Sequence, residues 1–231
     1  MKNDDKIALP AWLIWLLVGL IAAIILVLGY IIVQQLQAND SDAFASLADF
    51  EDPDFNGIDT IQPPREMPNF TLTGTDGDPI SLSDLPQQPT LIFFGFTNCP
   101  DICPITLGEM KALHDALGDE GDDLNYVFIS VDGERDIPEH MGDYLALRSV
   151  DAYVTGLTGN PEDVRRIGAD YGVKFVYGTP DDNGNYNVDH TSSMFLLDSN
   201  REWIRKYAFN MERAVLLEDI QQILDDEAEA A

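Results

Sequence analysis

"TLIFFGFTNCPDICPITLGEMKALHDAL", residues 90–117, contains the only two cysteines of the 231-residue chain. Thr90–Phe96 is a short, continuously apolar run, the pattern of a strand buried on both faces. From Pro104 to about Leu117 the apolar residues Leu107, Met110, Leu113 and Leu117 recur at helical spacing. Cys99 and Cys103 lie between these segments, and a proline follows each. A residue before proline is steered out of the helical region, and proline suits the first turn of a helix. The sequence therefore predicts Cys103 at or near a helix N-cap, with Cys99 on the preceding turn.

On either side the pattern continues to alternate. "FTLTGTDGDPISL" reads as a hairpin around Asp76-Gly77. "LNYVFISVD" is a second buried strand, and "DIPEHMGDYLALR" opens as a helix with Asp136 as its cap and Pro138 in its first turn. "VTGLTG" is a short strand or turn, and "NPEDVRRIGADYGV" a helix capped by Asn160. "KFVYG" enters a Gly/Asn/Asp-rich loop, read as another hairpin, and "SMFLLD" and "EWIRKY" pair across Ser199-Asn200. An amphipathic helix from Met211 to about Leu224 ends the pattern. Buried strands alternating with helices, then a hairpin and a helix, indicate an α/β sandwich with a mixed β-sheet. Strand, cysteine-bearing turn and helix is the opening of the thioredoxin architecture.

Residues 9–33, "LPAWLIWLLVGLIAAIILVLGYIIV", carry no charge. At about 1.5 Å per residue a helix of this length crosses a hydrocarbon core of about 30 Å. Trp12, Trp15 and Tyr30 fit interfacial anchors. A cleaved signal has a shorter apolar region and a small-residue cleavage site, so the segment is read as a retained transmembrane helix behind an eight-residue cytoplasmic N-terminus. Lys2 and Lys6 precede it and no Lys or Arg follows until Arg65, which places the remainder outside the cytoplasm. Residues 34–66, rich in Asp, Ala, Gln and Pro, read as an acidic flexible tether. Residues 67–225 are expected to form the folded domain and 226–231 a frayed acidic tail. Residues 1–36 hold two Lys and two Asp, so the formal net charge of −28 belongs wholly to the exported part. Phosphate-backbone binding needs basic patches, so nucleic acid is excluded as a partner. The scattered acids read as a solvated surface.

Outside the cytoplasm disulfides form and persist. A Cys99–Cys103 bond would close only a small loop, worth on the order of 1–2 kcal/mol, so a reactive pair explains the spacing better than a staple. Free N–H groups and the dipole at a helix mouth favour thiolates. Two converging thiolates suit a thiophilic metal, above all Cu(I), or reversible disulfide formation. Of the three histidines, His114 and His140 read as surface residues. His190 ends a polar loop just before a predicted core strand, where such folds gather site groups. The residues alone leave its role open, as they do that of Asp189, which either orients His190 or is one more exposed acid.

"FTLTGTDGDPISLSDL", "FFGFTNCPDICP", "ISVDGERDIPEH" and "VDHTSSMFLLD" together resemble the Sco/SenC family of membrane-tethered copper proteins. The resemblance runs from about Met67 to the last helix. It implies a thioredoxin-like domain that binds one copper, Cu(I) or Cu(II), through Cys99, Cys103 and His190. It also implies a role in building the binuclear copper centre of cytochrome c oxidase subunit II, with another periplasmic copper carrier as a further partner. No Arg-rich transit segment precedes the apolar stretch, which agrees with a single-pass protein of a bacterial inner membrane with its C-terminal domain in the periplasm. One departure is visible: Gly133 stands where the family commonly has proline, and altered loop stiffness rather than lost copper binding is expected.

Three rivals remain. In a thiol–disulfide oxidoreductase Cys99 and Cys103 would form a redox-active disulfide and keep the oxidase cysteines reduced. General catalysts of that kind carry C-x-x-C, whereas three residues intervene here. A peroxiredoxin places proline seven and threonine three positions before its nucleophile, where this chain has Ile92 and Phe96. Zinc accepts a Cys₂His set with an open position, so the residues alone leave zinc open beside copper.

Overall fold

The computed structural model describes residues 27–30, 56–182 and 184–230. It divides into two compact units at Phe55–Asn56. In the first, residues 27–30 are helical. Otherwise the expected membrane segment 9–33 lies outside the described residues, as does the tether up to residue 55. Among the described residues no helix is long and apolar enough to cross a membrane.

The second unit is built on an eight-stranded mixed sheet of order β1-β10-β9-β4-β5-β6-β2-β3. At its centre β4 (Thr90–Gly95) and β5 (Asn125–Ser130) run parallel, and every residue of both is buried. A strand covered on both faces has no polar side to show, which is why these segments read as unbroken apolar runs. β6 (Val154–Thr158) adds a third parallel strand. The hairpin β2 (Thr71–Gly74) and β3 (Pro79–Ser81) extends that edge antiparallel. On the other side β9 (Met194–Leu197) and β10 (Glu202–Tyr207) form the expected hairpin. The helices are α1 (Ile102–Leu117), α2 (Pro138–Leu147), α3 (Pro161–Asp170) and α4 (Arg213–Ala230). Asn160 caps α3 as expected, its side chain accepting the Glu162 N–H at 2.8 Å. β7 (Phe175–Tyr177) and β8 (Val188–His190) form a separate two-stranded ribbon.

Three expectations change. The folded unit starts before residue 67, because β1 (Ile58–Glu66) pairs antiparallel with β10 along the sheet edge. An edge strand tolerates Pro63-Pro64, since prolines need no ladder partner there, and the register breaks across them, between Thr60 and Arg65. At the other end α4 continues to Ala230. Glu227 accepts hydrogen bonds from the Ser199 backbone N–H and hydroxyl, so the acidic end is tied to the β9–β10 turn. Asp136 does not cap α2, whose N-cap is Ile137. It is fully buried and serves the site instead.

Candidate metal centre

The cysteine turn leaves the end of β4 and enters α1, with Cys103 as the second helical residue. Pro104 falls in the first turn, where its missing N–H would have had no helical acceptor anyway. The Asp101 side chain makes no cap bond; the sulfur of Cys99 accepts the Cys103 N–H at 3.3 Å and takes that role. Cys103 is fully buried, and its sulfur accepts the Phe96 N–H at 3.5 Å. A Cβ on Gly95 would lie 2.8 Å from that sulfur and 2.7 Å from the Phe128 ring. Only glycine lets the strand end pass this close to the thiol.

His190 closes the site from β8. Its Nε2 stands 3.6 Å from the Cys103 sulfur, and its Nδ1 donates to the Thr191 carbonyl at 2.9 Å. That bond assigns the proton to Nδ1 and leaves the Nε2 lone pair facing the sulfurs. Phe96 and Phe93 approach the imidazole edge-on, with centroids 5.7 and 6.1 Å away. Ligand atoms of Cys99, Cys103 and His190 all lie within 4.8 Å of one another. Among the described residues this is the one such His/Cys/Asp/Glu cluster. Asp189 is exposed, and the Thr191 carbonyl occupies the orienting position considered for it. His114 stacks on Tyr153 at 3.9 Å and His140 meets the Arg135 carbonyl at 2.9 Å, both apart from the sulfurs.

The thiols are inequivalent. A hydrogen bond from the Cys103 thiol lowers the pKa of Cys99 to about 3, with burial opposing the shift and His190 adding to it. The same bond, together with burial, pushes Cys103 up and keeps its proton. The pair thus carries one negative charge, centred on the half-buried Cys99. Alkylation of the metal-free chain is therefore expected to modify Cys99 first. Its rate should stay flat as pH falls from the ordinary thiol range of about 8.5 toward the lowered value. A rate falling tenfold per pH unit through neutrality would show that Cys99 has an ordinary thiol.

Sequence reading missed the groups that hold these side chains in place. Asp136 accepts the Thr97 N–H at 2.9 Å, the Thr97 hydroxyl at 2.5 Å and the Ser130 hydroxyl at 2.6 Å, and so anchors the start of the cysteine turn. Asp132 and Arg135 form an ion pair just before it. Gly133 has its reason here: a Cβ would sit 1.8 Å from the Gly159 carbonyl oxygen, so the proline common at this position does not fit this backbone. The signal available in the sequence was position alone, a run of charged residues just beyond a fully buried parallel strand, where such sheets gather their sites.

These features define a class: a thioredoxin-like domain with two thiols and one imidazole gathered at a helix mouth. The SCO1/SenC family model matches residues 58–225, and the chain belongs to that family. Protein SenC of Rhodobacter capsulatus is 31% identical over 177 residues, covering 77% of this chain and 75% of that protein. The mitochondrial SCO1 homolog 1 of Arabidopsis thaliana is 34% identical over 61% of this chain, which spans only 42% of that longer protein. Copper-bound ScoI of Bradyrhizobium japonicum superposes with a TM-score of 0.61 at 34% identity, covering 68% of this chain and 99% of that one.

Proposed function

We propose that this chain is a copper-binding protein of cytochrome c oxidase assembly, holding one copper through Cys99, Cys103 and His190. The observation that carries this reading is the donor set itself: two sulfurs and an imidazole nitrogen with its lone pair turned inward, within 4.8 Å of one another. Thiolates select soft Cu(I), and the imidazole suits Cu(II) as well. Cys99 is half-buried and Cys103 fully buried, so Cys99 is the ligand an acceptor reaches first and copper leaves by stepwise exchange of ligands. The acceptor is the binuclear copper centre of oxidase subunit II, and the donor another periplasmic copper carrier. The domain is anchored by residues 9–33 on the periplasmic side of a bacterial inner membrane, the orientation favoured by Lys2 and Lys6.

A second reading is favoured by the thiol asymmetry. The Cys99 thiolate attacks a partner disulfide and releases one partner sulfur. Cys103 then gives its proton to a partner sulfur and attacks Cys99, closing the Cys99–Cys103 disulfide and releasing the second partner thiol. Two electrons pass to the partner.

Titration of the reduced full-length chain with copper, beside His190→Ala, distinguishes the two. One equivalent that resists a competing chelator and shows a thiolate-to-Cu(II) absorption band, weakened in the variant, is expected. Absence of tight copper, with ready cycling between dithiol and disulfide, would sink the copper reading and leave the reductase.

A further inference from the structure

We propose that Arg135 is a positioning residue for His190: by clamping the β7–β8 ribbon to the 131–136 loop, it sets where the imidazole stands against the two sulfurs. The proposal rests on the copper reading above. The ribbon lies outside the main sheet and has only three paired positions, Phe175–His190, Val176–Asp189 and Tyr177–Val188. So short a ribbon is not independently stable, and its place is decided by what holds it. Buried Phe175 and Val188 pack the ribbon into the core, and its Tyr186 end is tied to the loop after β5 by Arg135. The Arg135 Nε donates to Asp132 Oδ2 at 2.5 Å, and its Nη2 pairs with the same oxygen at 2.5 Å without hydrogen-bond alignment. Its Nη1 donates to the Tyr186 carbonyl at 2.9 Å, and its guanidinium lies over the Tyr186 ring at 3.6 Å. The Tyr186 hydroxyl closes the circuit by donating to Asp132 Oδ1 at 2.7 Å. Tyr177 donates to the Val131 carbonyl at 2.7 Å, and on the other side Arg165 donates to the Phe175 carbonyl at 3.0 Å.

The anchor is rigid, because Asp132 is fully buried and its loop continues directly from the central strand β5. Four residues on, Asp136 in the same loop holds Thr97 and with it the cysteine turn. Residues 132–136 therefore reference both halves of the site to one short segment. Only a planar, five-donor guanidinium pairs with a carboxylate, reaches a carbonyl and stacks on a ring at once; a lysine offers a point charge on a flexible stem.

The consequence is selective. Two thiolates satisfy Cu(I), whereas Cu(II) depends on the imidazole. In Arg135→Lys, which keeps a charge beside Asp132, Cu(II) affinity should fall by about 10–100-fold, the usual cost of removing support from a metal ligand. Cu(I) affinity should stay near wild type. Each tenfold selective loss of Cu(II) raises the midpoint potential of the bound couple by about 59 mV. The experiment measures Cu(I) and Cu(II) affinities of the full-length chain against competing chelators in wild type, Arg135→Lys and Tyr186→Phe. The last variant keeps the stacked ring and loses only the Asp132 bond, so it should fall between the other two. Equal loss of both oxidation states, or no loss of either, would overturn the proposal. A metal-free readout separates it from the copper reading: amide exchange at Gly178 and Thr191, whose N–H groups bond across the ribbon, should quicken in Arg135→Lys while α1 stays protected. Unchanged exchange there would overturn the clamp whether or not the wild type binds copper. Copper-free wild type with quickened exchange in the variant would keep the clamp and reject the copper reading.

Discussion

Replacing Cys103 by alanine is expected to abolish tight copper binding and, at the same time, return Cys99 to an ordinary thiol. Both effects come from one atom. The Cys103 sulfur is a proposed ligand, 3.6 Å from the His190 Nε2, and its thiol hydrogen bond is the main cause of the lowered pKa of Cys99. Removing a ligand outright should cost more than the about 10–100-fold lost when a ligand's support is removed. Cys103 is fully buried in a core lined by Phe93 and Phe128, so truncation to alanine leaves a small apolar gap rather than an unpaired charge. Competition with a chelator should show no stoichiometric copper. Alkylation of Cys99 should now slow as pH falls below the thiol range. A variant that still holds one tight equivalent would show that Cys103 is not a ligand. A variant that loses copper yet keeps Cys99 reactive at low pH would show that something other than Cys103 stabilises the thiolate.

The second large effect is expected at Asp136, which touches neither sulfur. Asp136→Ala leaves the Thr97 N–H, the Thr97 hydroxyl and the Ser130 hydroxyl without their acceptor. Each orphaned buried group costs about 1–3 kcal/mol. Thr97 is only half-buried and regains some water, so a total of about 3 kcal/mol is expected. Urea denaturation should show a lower midpoint with an unchanged slope. A loss of only about 0.5 kcal/mol, the scale of an ordinary surface change, would rule out the anchoring role. Burial pushes the Asp136 carboxyl above its ordinary value, against the Ser130 and Thr97 donors. With its folded pKa raised, its contribution is full below the ordinary carboxylate range and is lost as pH rises through the raised value. The stability margin of wild type over Asp136→Asn should therefore narrow with rising pH. A margin that widens instead would mean that the ionised form is the one favoured in the fold.

What could be read without coordinates was what short-range physics enforces. β4 and β5 were legible because burial on both faces demands an unbroken apolar run, and α1 because its buried face recurs at 3.6 residues. β1 was not, because an exposed edge strand with Pro63-Pro64 has the composition of a tether; only its pairing with β10 makes it a strand. The end of α4 looked like a tail because its acids fit no amphipathic pattern, and its bond to Ser199 joins residues 28 apart.

The same division runs through the site. Local constraints alone put two thiols at a helix mouth, because the restriction before proline and the free N–H groups of a first turn act within a few residues of sequence. The sequence offered His190 as a candidate, and the family resemblance implied a ligand role for it. Only the tertiary structure brought the imidazole to the sulfur of Cys103, 87 residues away in the chain. Only the tertiary structure, too, turned Asp136 from an expected helix cap into the anchor of Thr97, 39 residues distant, and joined Asp132 to Tyr186, 54 residues distant. Such contacts are set by how β4, β5 and the ribbon cross in space. A buried carboxylate has the same identity in sequence whether it caps a helix or anchors a metal-site turn; what differs is the set of donors that the fold brings to it.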